Sequence, residues 1–356
     1  MARTFVYVSC SQSEEILVFR LDAGMEVMRD AFRVKTGGAV MPLAVSPDRR
    51  FLYAFIRSRP YSLISYAIDS DAGGLELLSV VPVPESLAAI ATDRSGRFLL
   101  GASYGGDIIT VNPIGGEGFF QPDPVELIRP GRNPHFIQTD PSNRFAFVPN
   151  LGSDHICQFV FDAATGRLAS NRPAVVPAPA GSGPRHLCFS PNNRFVYVLT
   201  ELSGEVICYT LDAAAGILSE KRRVSIMPPD SPLPPGTYTP PANARVPGAD
   251  PKIWAADIHI TPDGNFLYAS ERTTSILACF SVDAATGTLT YSGSVETEKQ
   301  PRSFSICPRG DFLAVAGEKS NQVSVYAIDR ESGALALVCR IQAGSNPNWV
   351  EIVEFR

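Results

Sequence analysis

The chain has 356 residues, 45% of them hydrophobic, and a formal net charge of −5. That mild acidity excludes the broad basic footprint of a nucleic-acid binder or of a protein held on anionic lipid, and no apolar run approaches the roughly 18 to 20 residues of a membrane helix. The seven cysteines are odd in number, scattered and never spaced Cys-x-x-Cys, so neither a disulfide framework nor a zinc site is expected, and reduced thiols in a cytoplasm fit the pattern.

In chain order, the N-terminal "MARTFVYVSC" reads as a strand and has no apolar core long enough for a signal peptide. A motif then recurs: "SPDRRFLYA" (46–54), "DRSGRFLLG" (93–101), "DPSNRFAFV" (140–148), "SPNNRFVYV" (190–198), "TPDGNFLYA" (261–269) and "CPRGDFLAV" (307–315). Each joins an apolar strand to a second strand through a tight turn. The anchoring Phe falls at 5, 51, 98, 145, 195, 266 and 312, a period of about 46 residues, which is the signature of a β-propeller with one four-stranded blade per repeat. After the second strand come a loop, a third strand such as "VICYTLD", an Asp-x-x-x-Gly turn and a last strand. Alternating apolar, β-branched and aromatic residues argue for strands rather than helices throughout. The Asp-x-x-x-Gly turns (162–166, 212–216, 283–287, 329–333) are structural: Asp bonds its own turn and Gly takes positive φ.

The chain ends in "GSNPNWVEIVEFR", an inner strand without the rest of its blade, whereas the N-terminus lacks an inner strand. Pairing the two completes a seventh blade and leaves no open edge in the ring. The expected fold is therefore all-β: one seven-bladed propeller domain over 1–356, with a Pro-rich loop insertion at 227–252 that is either a free insertion or a lid.

Counting from each Phe locates a site. Ten residues before it stand Met41, Ala88, His135, Arg185, Ala256 and Arg302; six after it stand Arg57, Tyr104, Leu151, Glu201, Arg272 and Glu318. These positions open the first strand and close the second, and antiparallel neighbours bring both to one face of the ring. His135, Arg185, Glu201, Arg272, Arg302, Arg57 and Glu318 thus converge on one mouth of the central channel, with His186 one residue beyond. Charges of both signs there shift one another's pKa values and make an anion pocket. The opposite face receives the repetitive tight turns. Asp257 and His259, on a first strand, read as buried and hydrogen-bonded rather than catalytic. No Gly-x-Ser-x-Gly elbow, His-Glu-x-x-His motif, phosphate loop or carboxylate-rich cation loop is present, so neither a cofactor nor a metal is expected.

Several segments carry a resemblance: "GPRHLCFSPN", "YVLTELSGEVICY", "WAADIHITPDGNFLYASERTTSILACFSV" and "QPRSFSICPRGDFLAVAGEKSNQVSVY". The chain resembles the bacterial seven-bladed propeller 6-phosphogluconolactonases over nearly its whole length, departing at 227–252. Their wider family includes a fungal enzyme that lactonises 3-carboxy-cis,cis-muconate. The resemblance implies hydrolysis of 6-phospho-D-glucono-1,5-lactone in the pentose phosphate pathway. It also implies a catalytic His135, Arg185, Glu201 and Arg272, matched in "NPHF", "GPRH", "LTELSG" and "SERT". Lactone hydrolysis needs a base on water, assigned to Glu201 or His135, and an oxyanion holder, assigned to Arg185. Arg302, Arg57 and Arg272 are assigned to the substrate's anionic group, with His186 and Glu318 beside them. The expected partner is a small anionic lactone, with neither nucleic acid nor membrane; the oligomeric state stays open and a monomer is compatible. The alternatives are another sugar-acid lactonase, a muconate-type cyclising enzyme, or a binding propeller without catalysis.

Overall fold

The computed structural model describes residues 3–22, 27–121, 123–238 and 251–355. It is a seven-bladed β-propeller of seven four-stranded antiparallel sheets. The closing blade joins the two chain ends: Pro347–Phe355 pairs with Arg3–Cys10, followed by Glu15–Asp22 and Val27–Lys35. The register runs from Arg3 opposite Phe355 to Cys10 opposite Pro347. The first residue of each tight turn takes the amide of the anchoring Phe, as in Asp93 Oδ1 to Phe98 N (2.9 Å), Asp140 Oδ1 to Phe145 N (3.0 Å) and Ser190 Oγ to Phe195 N (2.9 Å). This bond sets where the second strand begins, and so sets the register of the whole repeat.

Blades lock to one another through the same Phe. Gly166 has φ +75° and Gly216 φ +67°, and a Cβ at either would lie 2.5 Å or 2.1 Å from the ring of Phe98 or Phe145 in the preceding blade. The Asp-x-x-x-Gly turn is thus both a chain reversal and the seat of the neighbouring blade's aromatic ring. Phe98, Phe145 and Phe195 are buried there, each burial contributing on the order of 1.5–3 kcal/mol.

One local irregularity positions the site. Where the inner strand meets its neighbour, β-bulges interrupt the register at Pro184/His186, Pro301/Ser303, Ala255/Ile258 and Val40/Leu43. A bulge re-aims side chains that strict alternation would send to opposite faces. Consecutive residues such as Arg185 and His186 can therefore both serve the channel. The segment 227–238 leaves the blade and is tied back beside the mouth: Gly236 N donates to Leu202 O (2.7 Å) and Ile253 N to Pro234 O (3.0 Å). The centre of the expected 227–252 loop, residues 239–250, lies outside the described residues.

Candidate active site

Glu201 is the hub of the mouth. Its Oε2 accepts from Arg185 Nε at 2.7 Å, and its Oε1 pairs with Arg272 Nη2 at 2.9 Å. Arg185 is 1% exposed; its Nη1 also donates to the carbonyl of Ala256 in the next blade. Arg272 donates from Nε to Trp254 O at 3.1 Å. The chain supplies these contacts locally: Glu201 and Arg272 follow the ends of strands Phe195–Thr200 and Phe266–Glu271, and Arg185 sits at the bulged start of Pro184–Phe189.

The charges interlock. Burial raises the Glu201 carboxyl pKa, but Arg272, Arg185 and Arg302 outweigh it and hold the pKa below the ordinary carboxylate value. Burial pushes the Arg185 guanidinium down to about 9, opposed by Glu201, and it stays charged at neutral pH. Arg302 faces Glu318 at 3.8 Å. Arg57 is exposed at the rim, with Nη1 3.1 Å from Met41 Sδ. Although the residue reaches the rim, desolvation of its guanidinium against Met41 lowers its pKa, and the neighbouring charge of Arg302 lowers it further.

His135 is buried among these cations. Its ring lies 5.8 Å from Tyr104 and 5.2 Å from His186, centroid to centroid. Burial, then Arg185, His186, Arg302 and Arg272, drive its pKa well below the ordinary value of 6.5, so it is a neutral imidazole at physiological pH. Its Nδ1 is buried without a hydrogen-bond partner. A neutral base beside clustered guanidiniums is the equipment for taking a proton from water while an oxyanion forms.

The mouth therefore brings together His135, Arg185, Glu201, Arg272 and Arg302, with Glu318 and Arg57 at its edge, as the repeat arithmetic expects. His186 differs: it sits one level deeper. Its Nδ1 is 2.8 Å from Asp257 Oδ1, and its ring lies 4.8 Å from Phe136 and 5.9 Å from Trp349. Asp257 is buried and hydrogen-bonded, as its place on a first strand suggests.

Two features escape the sequence count. Asn348, in Pro-Asn-Trp, occupies the Arg185 and Arg302 position of blade seven; that blade's inner strand lies at the far end of the chain, where counting back from Phe5 cannot reach. Aligning the Pro of "GPRH", "QPRS" and "NPNW" would have found it. The second is the turn-bearing face, which is not featureless. A cavity of about 490 Å³ opens there and is lined by His186, His259, Trp349 and Glu351 together with turn residues such as Pro47 and Pro191.

A model of the family described as "Lactonase, 7-bladed beta-propeller" matches residues 5–352. The chain belongs to this lactonase family. It is 37% identical to a 6-phosphogluconolactonase of Serratia proteamaculans over 99% of both chains, and 37% identical to that of Pectobacterium carotovorum over 98% of both. Among solved structures, the periplasmic gluconolactonase of Pseudomonas aeruginosa superposes with a TM-score of 0.86 at 26% identity, covering 99% of each chain. A Bacteroides fragilis protein superposes at 0.84 with the same identity, over 99% of this chain and 98% of its own. Two expectations thus meet: the blade count read from the Phe period, and the family read from the quoted segments.

Proposed function

We propose that this lactonase hydrolyses 6-phospho-D-glucono-1,5-lactone to 6-phosphogluconate, and that the Glu201-centred mouth is where it does so. The observation that carries the assignment of the site is a neutral, buried His135 beside Arg185 and Arg272, which one carboxylate, Glu201, holds in place. The full-length identity to enzymes of that name supports the substrate.

The roles follow from which groups are already committed. Both Glu201 oxygens are engaged by arginines, so Glu201 serves as the positioning anion, and the choice between Glu201 and His135 as base falls to His135. His135 removes a proton from water as the water oxygen bonds to C1. The carbonyl electrons move to oxygen, and Arg185 stabilises that oxyanion. Collapse breaks the bond from C1 to the ring oxygen, which receives the proton from His135. Arg302 and Arg57, the more exposed guanidiniums, bind the phosphate, and Arg272 braces Glu201.

The test compares 6-phosphogluconolactone with unphosphorylated gluconolactone in Arg57→Ala and Arg302→Ala. Each variant is expected to raise KM for the phosphorylated lactone about tenfold or more and to leave that for the plain lactone nearly unchanged. Equal losses on both substrates would remove these arginines from phosphate recognition. We place the enzyme in the cytoplasm; Cys10, Cys157, Cys188, Cys208, Cys279, Cys307 and Cys339 are all unpaired, and fractionation checks the location. Among the described residues no helix is long and apolar enough to cross a membrane.

A further inference from the structure

Asp257 is among the most heavily bonded carboxylates of the channel. Its Oδ1 meets His186 Nδ1 at 2.8 Å and the amide of Ile258 at 3.0 Å; its Oδ2 meets His259 Nε2 at 3.3 Å and the amide of Phe304 at 3.2 Å. Burial raises the Asp257 carboxyl pKa, but His259 and His186 outweigh it and hold the pKa well below the ordinary carboxylate value, so His186 carries its proton on Nδ1 and donates it to Oδ1. His186 Nε2 is then a bare acceptor, and it is buried without a partner. The neighbouring ring, His135 at 5.2 Å, also has a buried nitrogen without a partner, Nδ1. Two such nitrogens on adjacent rings need an explanation, since buried polar atoms are normally satisfied. At the other end His259 is 39% exposed and opens on the 490 Å³ chamber of the turn-bearing face.

We infer that Asp257 and His186 are positioning residues that act through His135, carrying the proton released in lactone hydrolysis from the mouth through His259 to the opposite chamber. The inference rests on the lactonase reading of the mouth. Its chemistry balances: ring opening first yields a carboxylic acid and a hydroxyl, and at neutral pH the acid becomes carboxylate with net loss of one proton. His135 receives that proton on one nitrogen and passes the other nitrogen's proton to His186 Nε2, directly or across one water. His259 releases a proton to the chamber and takes up in its place the proton that His186 Nδ1 passes through Asp257. No oxidant or second reactant is required.

The electrostatics run in the same direction. Burial, then Arg185, His186, Arg302 and Arg272, hold the His135 pKa well below 6.5. For His186, burial and Arg185 lower the pKa to about 4 against the pull of Asp257. For His259, burial also lowers the pKa, but Asp257 and Glu351 overcome it and raise the pKa above 6.5. Proton affinity is therefore higher at His259, on the chamber, than at His135 or His186.

The experiment measures hydrolysis of freshly generated 6-phosphogluconolactone by wild type, His186→Gln, His186→Ala and His259→Gln, each checked for fold by circular dichroism. His186→Gln is expected to lower kcat about tenfold or more with KM within about twofold. Added imidazole is expected to restore kcat in His186→Ala saturably and to leave wild type unaffected. His259→Gln is expected to lower kcat several-fold and to make the rate depend on buffer concentration, and it serves if the His186 variants do not fold. Wild-type kcat in the folded variants, a loss confined to KM, or no imidazole response would overturn the relay alone. A wild type inert on this lactone would overturn the substrate reading and the relay with it.

Discussion

His135 and Glu201 divide the work of the mouth by environment. The carboxylate has two arginine partners and stays ionised; the histidine has neighbouring cations, no anion of its own, and stays neutral. Because the His135 pKa is depressed, its basic form persists below pH 6.5, and kcat is expected to stay flat as pH falls from 7 to 6; an acid limb centred on 6.5 in the pH profile would contradict this. Stability has the opposite sensitivity. His135 and His186 have folded pKa values below the unfolded value of 6.5, so the unfolded chain binds the extra protons as pH drops. The contribution of these two groups to the unfolding free energy should be fully retained above 6.5 and decline towards pH 4, by up to about 1.4 kcal/mol per pH unit for each histidine. His259 works the other way: Asp257 raises its folded pKa above 6.5 against the effect of burial, so its contribution is fully present well below 6.5 and is lost as pH rises through the folded value. Denaturant titrations at pH 7, 6 and 5 read the trend. Removing the hub has a larger effect: Glu201→Gln leaves the buried Arg185 without its counterion and should cost about 3–5 kcal/mol in a denaturant midpoint series.

At the scale of the element, the repeat is held by few contacts used many times. Gly216→Ala would place a Cβ 2.1 Å from the Phe145 ring at positive φ; a loss of about 2 kcal/mol or more is expected in thermal unfolding, and a neutral result would show that the turn does not seat the ring. The strands and their register were legible in the sequence because the Phe anchors, tight turns and Asp-x-x-x-Gly turns each recur with a local physical cause. The mouth was legible for the same reason: Arg185, Glu201 and Arg272 sit at fixed distances from a Phe. The deeper level of the channel, with His186, Trp349 and Glu351, was not. Period-two alternation would send His186 to the face opposite Arg185, and only the bulge at Pro184/His186 brings it to the channel. Glu351 and Trp349, hydrogen-bonded to each other at 3.0 Å, lie in the strand that closes the ring, where no complete repeat supplies a reference.

For the whole molecule, closure by Pro347–Phe355 completes blade seven and places Asn348 and Trp349 in the channel. Deleting that strand would leave the edge of Arg3–Cys10 unpaired and should abolish a monodisperse folded species in size-exclusion chromatography; retention of a soluble native ring would contradict the closure. The ring also sets the chemistry, because no single blade holds the site: the groups around Glu201 come from successive repeats and meet only when the circle closes. The measurement that bears most directly on this account is kcat/KM on freshly generated 6-phosphogluconolactone, corrected for spontaneous opening, for wild type and His135→Gln. A fall of about 10²–10⁴-fold in a folded variant is the predicted result; undiminished activity without His135 would remove the base from the mouth and contradict the assignment of the site.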